Sequence, residues 1–485
     1  MAKLTDILFG VSLLEIEGPR DLEVRSIAFD SRRVESDSLF VAVAGLTVDG
    51  HDFIEQAIAK GAKVIVFEKD LNDQHPSVTY VRTNDASAAL GIISSNFYQR
   101  PSEKIKLIGV TGTNGKTTTV TLCHQLFNQL GYKAGLISTV ENKIGEEVIP
   151  SSYTTPDAIE LNRLLSKMVT AGCTHAFMEV SSHSLVQNRV AGVMYSGGVF
   201  TNISHDHLDY HKTFDAYIAA KKLLFDHLPS HAFALVNADD KRGKIMLQNT
   251  RATQNSFALK TAADFKAKII HNTIQGLELD LDGTDVWFKL VGDFNAYNLL
   301  AVYSIAMCLG EEKSEVLTQM STLQPARGRF ELVENELGVL AIVDYAHTPD
   351  ALDNVLSTLT ELRTRNEQLI TVVGCGGDRD KTKRPKMARI AYDLSDKVIL
   401  TSDNPRSEDP QRIIEDMLEG IPEKGSRKTL RILDRKEAIR TACSMAGEKD
   451  IVLVAGKGHE SYQEINGVRH HFDDKEILYE ILNAR

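Results

Sequence analysis

Over the first hundred residues, apolar positions come in short blocks broken by polar turns. Strands are predicted at 24–28, 38–43, 63–67 and 79–81, and helices at 52–59 and 86–98. This reads as a small α/β unit over 1–100, followed by Arg100-Pro101-Ser102 as a linker. From 101 to 330 the rhythm becomes regular. Apolar runs at 105–110, 134–138, 175–180, 198–202 and 233–237 alternate with helical patterns at 156–171, 214–227 and 295–309. Such alternation predicts a doubly wound, mostly parallel sheet covered by helices on both faces. Around 269–290 the period drops to two, as expected of antiparallel hairpins forming a flap. From 331 to 485 strands at 340–344, 369–374, 397–402 and 451–455 alternate with helices at 349–362, 385–394, 410–418 and 436–446. The expected architecture is α/β in three domains, with a small N-terminal unit, a central nucleotide-binding sheet and a Rossmann-like C-terminal sheet.

Composition narrows the class. A chain of 485 residues is too long for one core. No apolar run approaches the ~20 residues that cross a membrane. The start, Met-Ala-Lys-Leu-Thr-Asp, lacks the apolar stretch of a signal peptide. Five scattered cysteines argue against a disulfide framework or zinc knuckle and fit a reducing cytoplasm. A net charge of −11 offers no electrostatic case for nucleic-acid binding, so anionic ligands need local basic sites.

Those sites lie at predicted strand ends. Gly109-Val110-Thr111-Gly112-Thr113-Asn114-Gly115-Lys116-Thr117-Thr118 joins a strand to a helix. Glycines let backbone N–H groups turn onto phosphate oxygens. The helix N-terminus and Lys116 add positive charge, and Thr117 offers a hydroxyl suited to Mg²⁺. Against the pattern G-x-x-x-x-G-K-S/T, the first glycine falls at Val110. Glu179-Val180-Ser181-Ser182-His183 and Thr201 through His211 end two further strands. The His and Asp run there suggests zinc, but no cysteine accompanies it, and a phosphate loop calls for a harder cation. Glu179 and one histidine would suffice; the alternative is a histidine-capped loop. Lys221 and Lys222 share a helix, read as one buried and one solvated lysine. A free ammonium facing Mg²⁺ would be repelled, so a lysine there needs another role.

Four loops of the third unit carry chemistry: Asp344-Tyr345-Ala346-His347, Gly374 to Arg379, Asp403-Asn404-Pro405-Arg406 and Gly456-Lys457-Gly458-His459-Glu460. Arg406 and Arg379 suit two-pronged capture of a carboxylate, and Glu460 suits an ammonium. The competing reading makes Asn-Pro a turn and Arg406 a surface residue.

Together these segments resemble the Mur ligases over essentially the whole chain, and most closely the members that add a third residue to UDP-N-acetylmuramoyl-L-alanyl-D-glutamate. The resemblance rests on 111–118, 179–183, 206–211, Gly292-Asp293-Phe294-Asn295-Ala296-Tyr297-Asn298, Gly328-Arg329-Phe330-Glu331, 344–350 and 456–460, all in family order. The family's loop is Thr-Gly-Thr-x-Gly-Lys-Thr, which accounts for the glycine mismatch. The resemblance implies a UDP-sugar site at Phe29, Ser31, Leu46, Thr47 and Val48. It implies ATP on Gly112, Thr113, Asn114, Gly115, Lys116, Thr117 and Thr118, with Asn295 and Asn298 near adenine and Arg327 or Arg329 near the phosphates. Glu179 and His207, with Thr117, become Mg²⁺ ligands. Thr154, Thr155, Ser181, Gln187 and Arg189 would meet the peptide end of the nucleotide. Lys221 aligns with the family's carbamylated lysine, an N6-carboxylysine able to bind a second Mg²⁺, with Lys222 as the neighbouring alternative.

The resemblance further implies that Arg379, Asp403, Asn404, Pro405, Arg406, Gly456 and Glu460 select meso-2,6-diaminopimelate. The implied reaction is ATP-dependent amide synthesis through an acyl phosphate, in a bacterial cytoplasm, by a monomer without nucleic-acid or membrane partners. No general base is identifiable; His347 is a candidate, and His207 is a weaker one if it binds metal. Competing readings are an L-lysine-adding homologue, a folylpolyglutamate synthetase-like ligase, and a nucleotide-driven switch.

Overall fold

The computed structural model describes every residue except 46–47, 72–73, 152, 364–365, 424–426 and 485, and at 209 the backbone alone. Three large sheets organise it, of five, eleven and six strands. In the first, Ser26–Ala28, Ser38–Val41, Ala62–Phe67 and Thr79–Thr83 run parallel, and Leu13–Glu17 closes one edge antiparallel to Thr79–Thr83. That edge strand is absent from the sequence prediction. Its Leu13 and Leu14 face solvent, so the chain shows no buried alternating face there. The predicted strand 24–28 splits, with Glu23–Val24 pairing instead with Ala2–Lys3.

At the centre of the large sheet, Lys106–Thr111 lies between His175–Glu179 and Gly197–Phe200, all parallel. Ala134–Ile137 extends one side, and Phe233–Asn237 and Thr253–Ala258 extend the other. Side chains on its two faces build separate cores. One contains Val120, Cys123, Phe127 and Leu299; the other contains Leu161, Leu165, Leu224 and Phe225. The predicted flap is corrected. Phe265–Thr273 pairs in parallel with Thr253–Ala258, so the hairpin strands Gly276–Leu281 and Thr284–Phe288 continue the same sheet. Leu277, Leu279 and Leu281 are fully buried, which fixes their register.

The third sheet has Leu340–Asp344, Ile451–Ala455, Leu369–Val373 and Lys397–Leu400 as parallel neighbours. Thr429–Arg431 adds to one side in parallel and Glu331–Val333 to the other antiparallel. The functional loops all leave the carboxyl ends of these strands, where ligands meet doubly wound sheets. A polar hairpin, Tyr462–Ile465 with Val468–His471, escaped prediction because its exposed residues carry no apolar pattern.

Beneath this sheet Arg435 and Asp474 form an ion pair with both side chains fully buried, at 2.7 Å. Arg435 also donates to the Ala455 carbonyl at 3.0 Å. Removing one partner strands the other charge. Asp474→Asn is therefore expected to cost about 3–5 kcal/mol of stability, read as a lowered urea midpoint. No described helix is long and apolar enough to cross a membrane.

Candidate active site

The loop 112–115 turns between the central strand and helix Lys116–Gln129 with Gly112 at φ +153° and Gly115 at φ +86°. Space is as restrictive as conformation. A Cβ on Gly112 would lie 1.9 Å from Thr201 Oγ1, and one on Gly115 2.4 Å from Asn298 Oδ1. The next strand's end stitches the loop in place. Thr113 N donates to Asn202 O at 2.8 Å, Asn114 N to Asn202 Oδ1 at 2.9 Å, and Thr201 Oγ1 to Asn114 O at 2.6 Å. Lys116 Nζ lies inside the turn, donating to the carbonyls of Gly112 (2.9 Å) and Thr113 (2.8 Å). Burial lowers its pKa, assisted by Arg329 and opposed by Glu179. Thr118 is buried in the first helical turn.

Asn295 and Asn298 are buried behind the loop. Asn295 Nδ2 donates to Val291 O at 2.8 Å and Asn298 Nδ2 to Asn295 Oδ1 at 3.0 Å. Of the two arginines considered for phosphates, the structure brings Arg329 to the loop, with Nη2 3.2 Å from Thr117 Oγ1. Arg327 instead pairs with Asp473 at 2.6 Å. Sequence could not separate them, because they flank Gly328 on either side.

Glu179 is 1% exposed and collects the surrounding hydroxyls. Its carboxylate accepts from Thr117 Oγ1 (2.9 Å), Thr139 N (2.8 Å) and Thr139 Oγ1 (3.2 Å). A carboxylate beside a threonine hydroxyl is a hard-oxygen pair of the kind that Mg²⁺ takes together with phosphates and water. His207, at φ +54°, stands with Nε2 3.4 Å from Asp206 Oδ2 and its ring 4.8 Å from that of His183. Among the described residues no cluster of three His, Cys, Asp or Glu forms a self-sufficient metal cage.

Lys221 and Lys222 part company as helix periodicity requires. Lys222 forms an ion pair with Asp226. Lys221 is buried, its Nζ donating to Gly112 O at 2.8 Å and lying 4.6 Å from the Tyr217 ring centre. Burial, and then Lys116, holds its pKa well below the ordinary lysine value.

The five residues expected at the peptide end lie close together. Thr155 Oγ1 donates to Glu179 O at 2.8 Å and accepts from Ser181 N at 3.1 Å. Arg189 donates to Thr155 O at 3.0 Å and to Gln187 Oε1 at 2.8 Å, and Thr154 Oγ1 accepts from Thr139 Oγ1 at 3.0 Å. The first unit touches this region through Ser87 Oγ, which donates to Gln187 O at 2.7 Å. In that unit Phe29 and Val48 are exposed, whereas Ser31 is buried with its hydroxyl on Gln56 Oε1 at 2.7 Å. Leu46 and Thr47 lie outside the described residues.

At the third sheet the predicted residues converge. Asn404 Nδ2 donates to Glu460 Oε2 at 2.7 Å, and Gly456, at φ +115°, leaves room for Asp403, whose Oδ2 would be 2.8 Å from a Cβ there. Burial opposes ionisation of Asp403, but Lys457 and Arg435 outweigh it and keep its pKa below the ordinary value. Burial, and then Asp403, raises that of Glu460. Arg406 Nη1 donates to Gly377 O at 2.7 Å, following Pro405 in a tight loop. Nη1 also lies 2.9 Å from where a Cβ on Gly376 would stand, and Arg379 Cγ lies 3.9 Å from the same point.

Two participants carried no role in the sequence reading. Lys457 is fully buried, donating to Asn404 Oδ1 (3.2 Å) and Glu460 Oε2 (3.1 Å). Asp350 Oδ2 accepts from Asn114 Nδ2 (2.6 Å) and Ser204 Oγ (2.8 Å), bringing the third unit onto the glycine loop. Both stand inside motifs quoted above, so position was the available signal. His347 Nδ1 contacts Tyr345 O at 2.9 Å.

Comparisons with known proteins agree along the chain. The family descriptions "Mur ligase family, catalytic domain", "Mur ligase middle domain" and "Mur ligase, glutamate ligase domain" match residues 23–98, 110–306 and 328–458. The chain is 57% identical over 483 residues to a Cytophaga hutchinsonii protein named UDP-N-acetylmuramoyl-L-alanyl-D-glutamate--2,6-diaminopimelate ligase, covering 99% of each chain. It is 52% identical to a protein of that name from Phocaeicola vulgatus, again covering 99% of each. A solved structure with the same name superposes with a TM-score of 0.70 at 34% identity, covering 100% of this chain and 99% of that one. A folylpolyglutamate synthase from Mycobacterium tuberculosis shares the fold at 17% identity and a TM-score of 0.62, covering 76% of this chain and 92% of its own. The chain belongs to the Mur ligase family.

Proposed function

We propose that the protein is an ATP-dependent ligase that joins meso-2,6-diaminopimelate to the D-glutamate γ-carboxylate of UDP-N-acetylmuramoyl-L-alanyl-D-glutamate, in the bacterial cytoplasm and as a monomer. The observation that carries this reading is the Asp403–Arg406 loop. Its guanidinium meets Gly377 O but forms no ion pair among the described residues, and Asn404 of the same loop holds the Glu460 carboxylate. Diaminopimelate carries a distal carboxylate and ammonium; lysine lacks the carboxylate. The first suits this pair of groups, and the second leaves Arg406 without an anion.

In the proposed reaction a γ-carboxylate oxygen attacks the γ-phosphorus of ATP, the bond to the ADP oxygen breaks, and an acyl phosphate forms. The diaminopimelate amine then attacks the acyl carbon, phosphate leaves with the C–O electron pair, and the amine loses a proton. Lys116 and the loop amides are placed to meet charge developing on the phosphoryl oxygens, and Arg329 reaches the same point through Thr117. Mg²⁺, held by Thr117 and Glu179 with His207 as a further proposed ligand, would neutralise phosphate charge when bound. Asp350 on Asn114 supports a closed arrangement that excludes water from the acyl phosphate.

Lys221 is proposed to be carbamylated. Its depressed pKa favours the neutral amine, whose lone pair can bond to the carbon of CO₂ as one N–H proton leaves. The product is an anion where an ammonium would repel both Lys116 and Mg²⁺. Protein equilibrated with ¹³C-bicarbonate is expected to show a carbamate carbon resonance that Lys221→Arg lacks and Lys222→Arg retains. A resonance persisting in Lys221→Arg would assign the modification elsewhere.

The whole reading is tested by phosphate release from ATP. Release that requires both the UDP-nucleotide and an amino acid, with a product heavier by one diaminopimelate residue, is expected. Release independent of the amino acid would favour a nucleotide-driven switch.

A further inference from the structure

Two loops carry the proposed amino-acid pocket, 374–379 and 403–408, and both contain a non-glycine residue in the left-handed region. Asp378 lies at φ +54° and Arg406 at φ +52°. Such backbone persists only where surrounding contacts hold it. The two loops hold each other. Gly377 N donates to Asn404 O at 2.9 Å, Arg406 Nη1 donates to Gly377 O at 2.7 Å, and Ser407 Oγ donates to Asp378 Oδ1 at 2.7 Å. Ser407 N also donates to Asp378 Oδ2 at 3.1 Å, and Glu408 Oε1 accepts from Asp378 N at 2.6 Å.

Glu408 is itself clamped. Arg384, with no exposed side-chain surface, grips it through two nitrogens, Nη2 to Oε1 at 2.8 Å and Nη1 to Oε2 at 3.1 Å. The same guanidinium reaches Asp416 at 2.7 Å on helix Pro410–Leu418. A buried arginine thus ties helix Lys383–Leu394 to the carboxylate that joins the two loops. A two-pronged grip fixes orientation as well as distance.

We propose that Glu408, held by Arg384, is a positioning residue for amino-acid selection: it sets the register of the 374–379 loop against the 403–408 loop and so aims Arg406 at the distal carboxylate of the incoming amino acid. The inference rests on the amino-acid site proposed above. It separates Glu408 from Asp416, which meets Arg384 but, among the described residues, has no hydrogen bond or ion pair to either loop. Glu408 ties the two loops directly; Asp416 acts only through Arg384, which also donates to Gly376 O at 3.4 Å.

The test compares Glu408→Gln and Asp416→Asn with the unmodified protein, measuring KM for each of the three substrates, kcat and melting temperature. Glu408→Gln is expected to raise KM for the amino acid about tenfold, as fits losing one charge-assisted hydrogen bond, with KM for ATP and the UDP-nucleotide unchanged. Asp416→Asn is expected to lower the melting temperature and leave the amino-acid KM unchanged. Ser407→Ala, which removes one exposed tie between the loops, should move the same KM in the same direction by less and serves if Glu408→Gln does not fold. An unchanged amino-acid KM in Glu408→Gln, or in Ser407→Ala where that variant stands in, would overturn the proposal. So would an equal rise in Asp416→Asn, or equal rises for all three substrates. KM is read for whichever amino acid the unmodified protein accepts. A preference for lysine would therefore sink the diaminopimelate reading while still deciding the role of Glu408.

Discussion

Lys116→Ala is expected to lower the rate of phosphate release by about three orders of magnitude at saturating substrates, while the protein still folds. The lysine Nζ lies inside a loop whose Gly112 and Gly115 have no room for a Cβ, on the carbonyls of Gly112 and Thr113. Phosphoryl transfer leaves the protein little covalent work to do, and catalysis rests on positioning and charge. Folding should survive. The two carbonyls that Lys116 meets belong to a loop stitched independently to Asn202 and Thr201. Near-normal turnover with a normal melting temperature would remove Lys116 from the chemistry and undermine the reading of the loop.

The second large effect is expected at Arg406. Arg406→Ala should cost on the order of 2–5 kcal/mol in kcat/KM for diaminopimelate and much less for lysine, so the preference between them collapses. The variant keeps a Cβ, so the left-handed backbone is no more strained than before, and the effect isolates the guanidinium. Arg406→Lys should not restore the preference, because a point charge cannot reproduce a two-pronged grip on a carboxylate. Equal losses for both amino acids would show that Arg406 shapes the loop without reading the ligand.

Much of this architecture was legible because burial and period coincide. Residues 233–237, 340–344, 349–362, 410–418 and 451–455 were expected as the elements Phe233–Asn237, Leu340–Asp344, Pro349–Leu362, Pro410–Leu418 and Ile451–Ala455 that form. Each is a buried strand, or a helix opened by proline behind a capping Thr348 or Asp409. Elements with exposed faces escaped notice. Leu13–Glu17 and the hairpin at 462–471 pair through backbone, and their side chains show no core-facing rhythm. The hairpin strands at 276–288 were recognised, but their union with the main sheet was not, since strand pairing across sequence leaves no local mark.

The site divides along the same line. Gly112, Lys116, Thr117 and Glu179 announce themselves by spacing after strands. Whether Arg327 or Arg329 reaches the loop depends on the left-handed turn at Gly328 and Phe330, which sequence does not display. Lys221 stood ahead of Lys222 only through the family resemblance; the structure buries the first and pairs the second with Asp226. Glu408 and Arg384 gave no signal, because an arginine between Lys383 and Pro385 reads as a solvated charge. Its complete burial comes from two acidic side chains brought in from elsewhere in the chain.

The central claim, a ligase whose third domain reads the distal carboxylate of its amino acid, meets its most direct test in one measurement. Phosphate release is followed with ATP, Mg²⁺ and UDP-N-acetylmuramoyl-L-alanyl-D-glutamate, with meso-diaminopimelate or L-lysine as the acceptor. A strong preference for diaminopimelate, abolished in Arg406→Ala, is the predicted result. Equal or greater stimulation by lysine would contradict it.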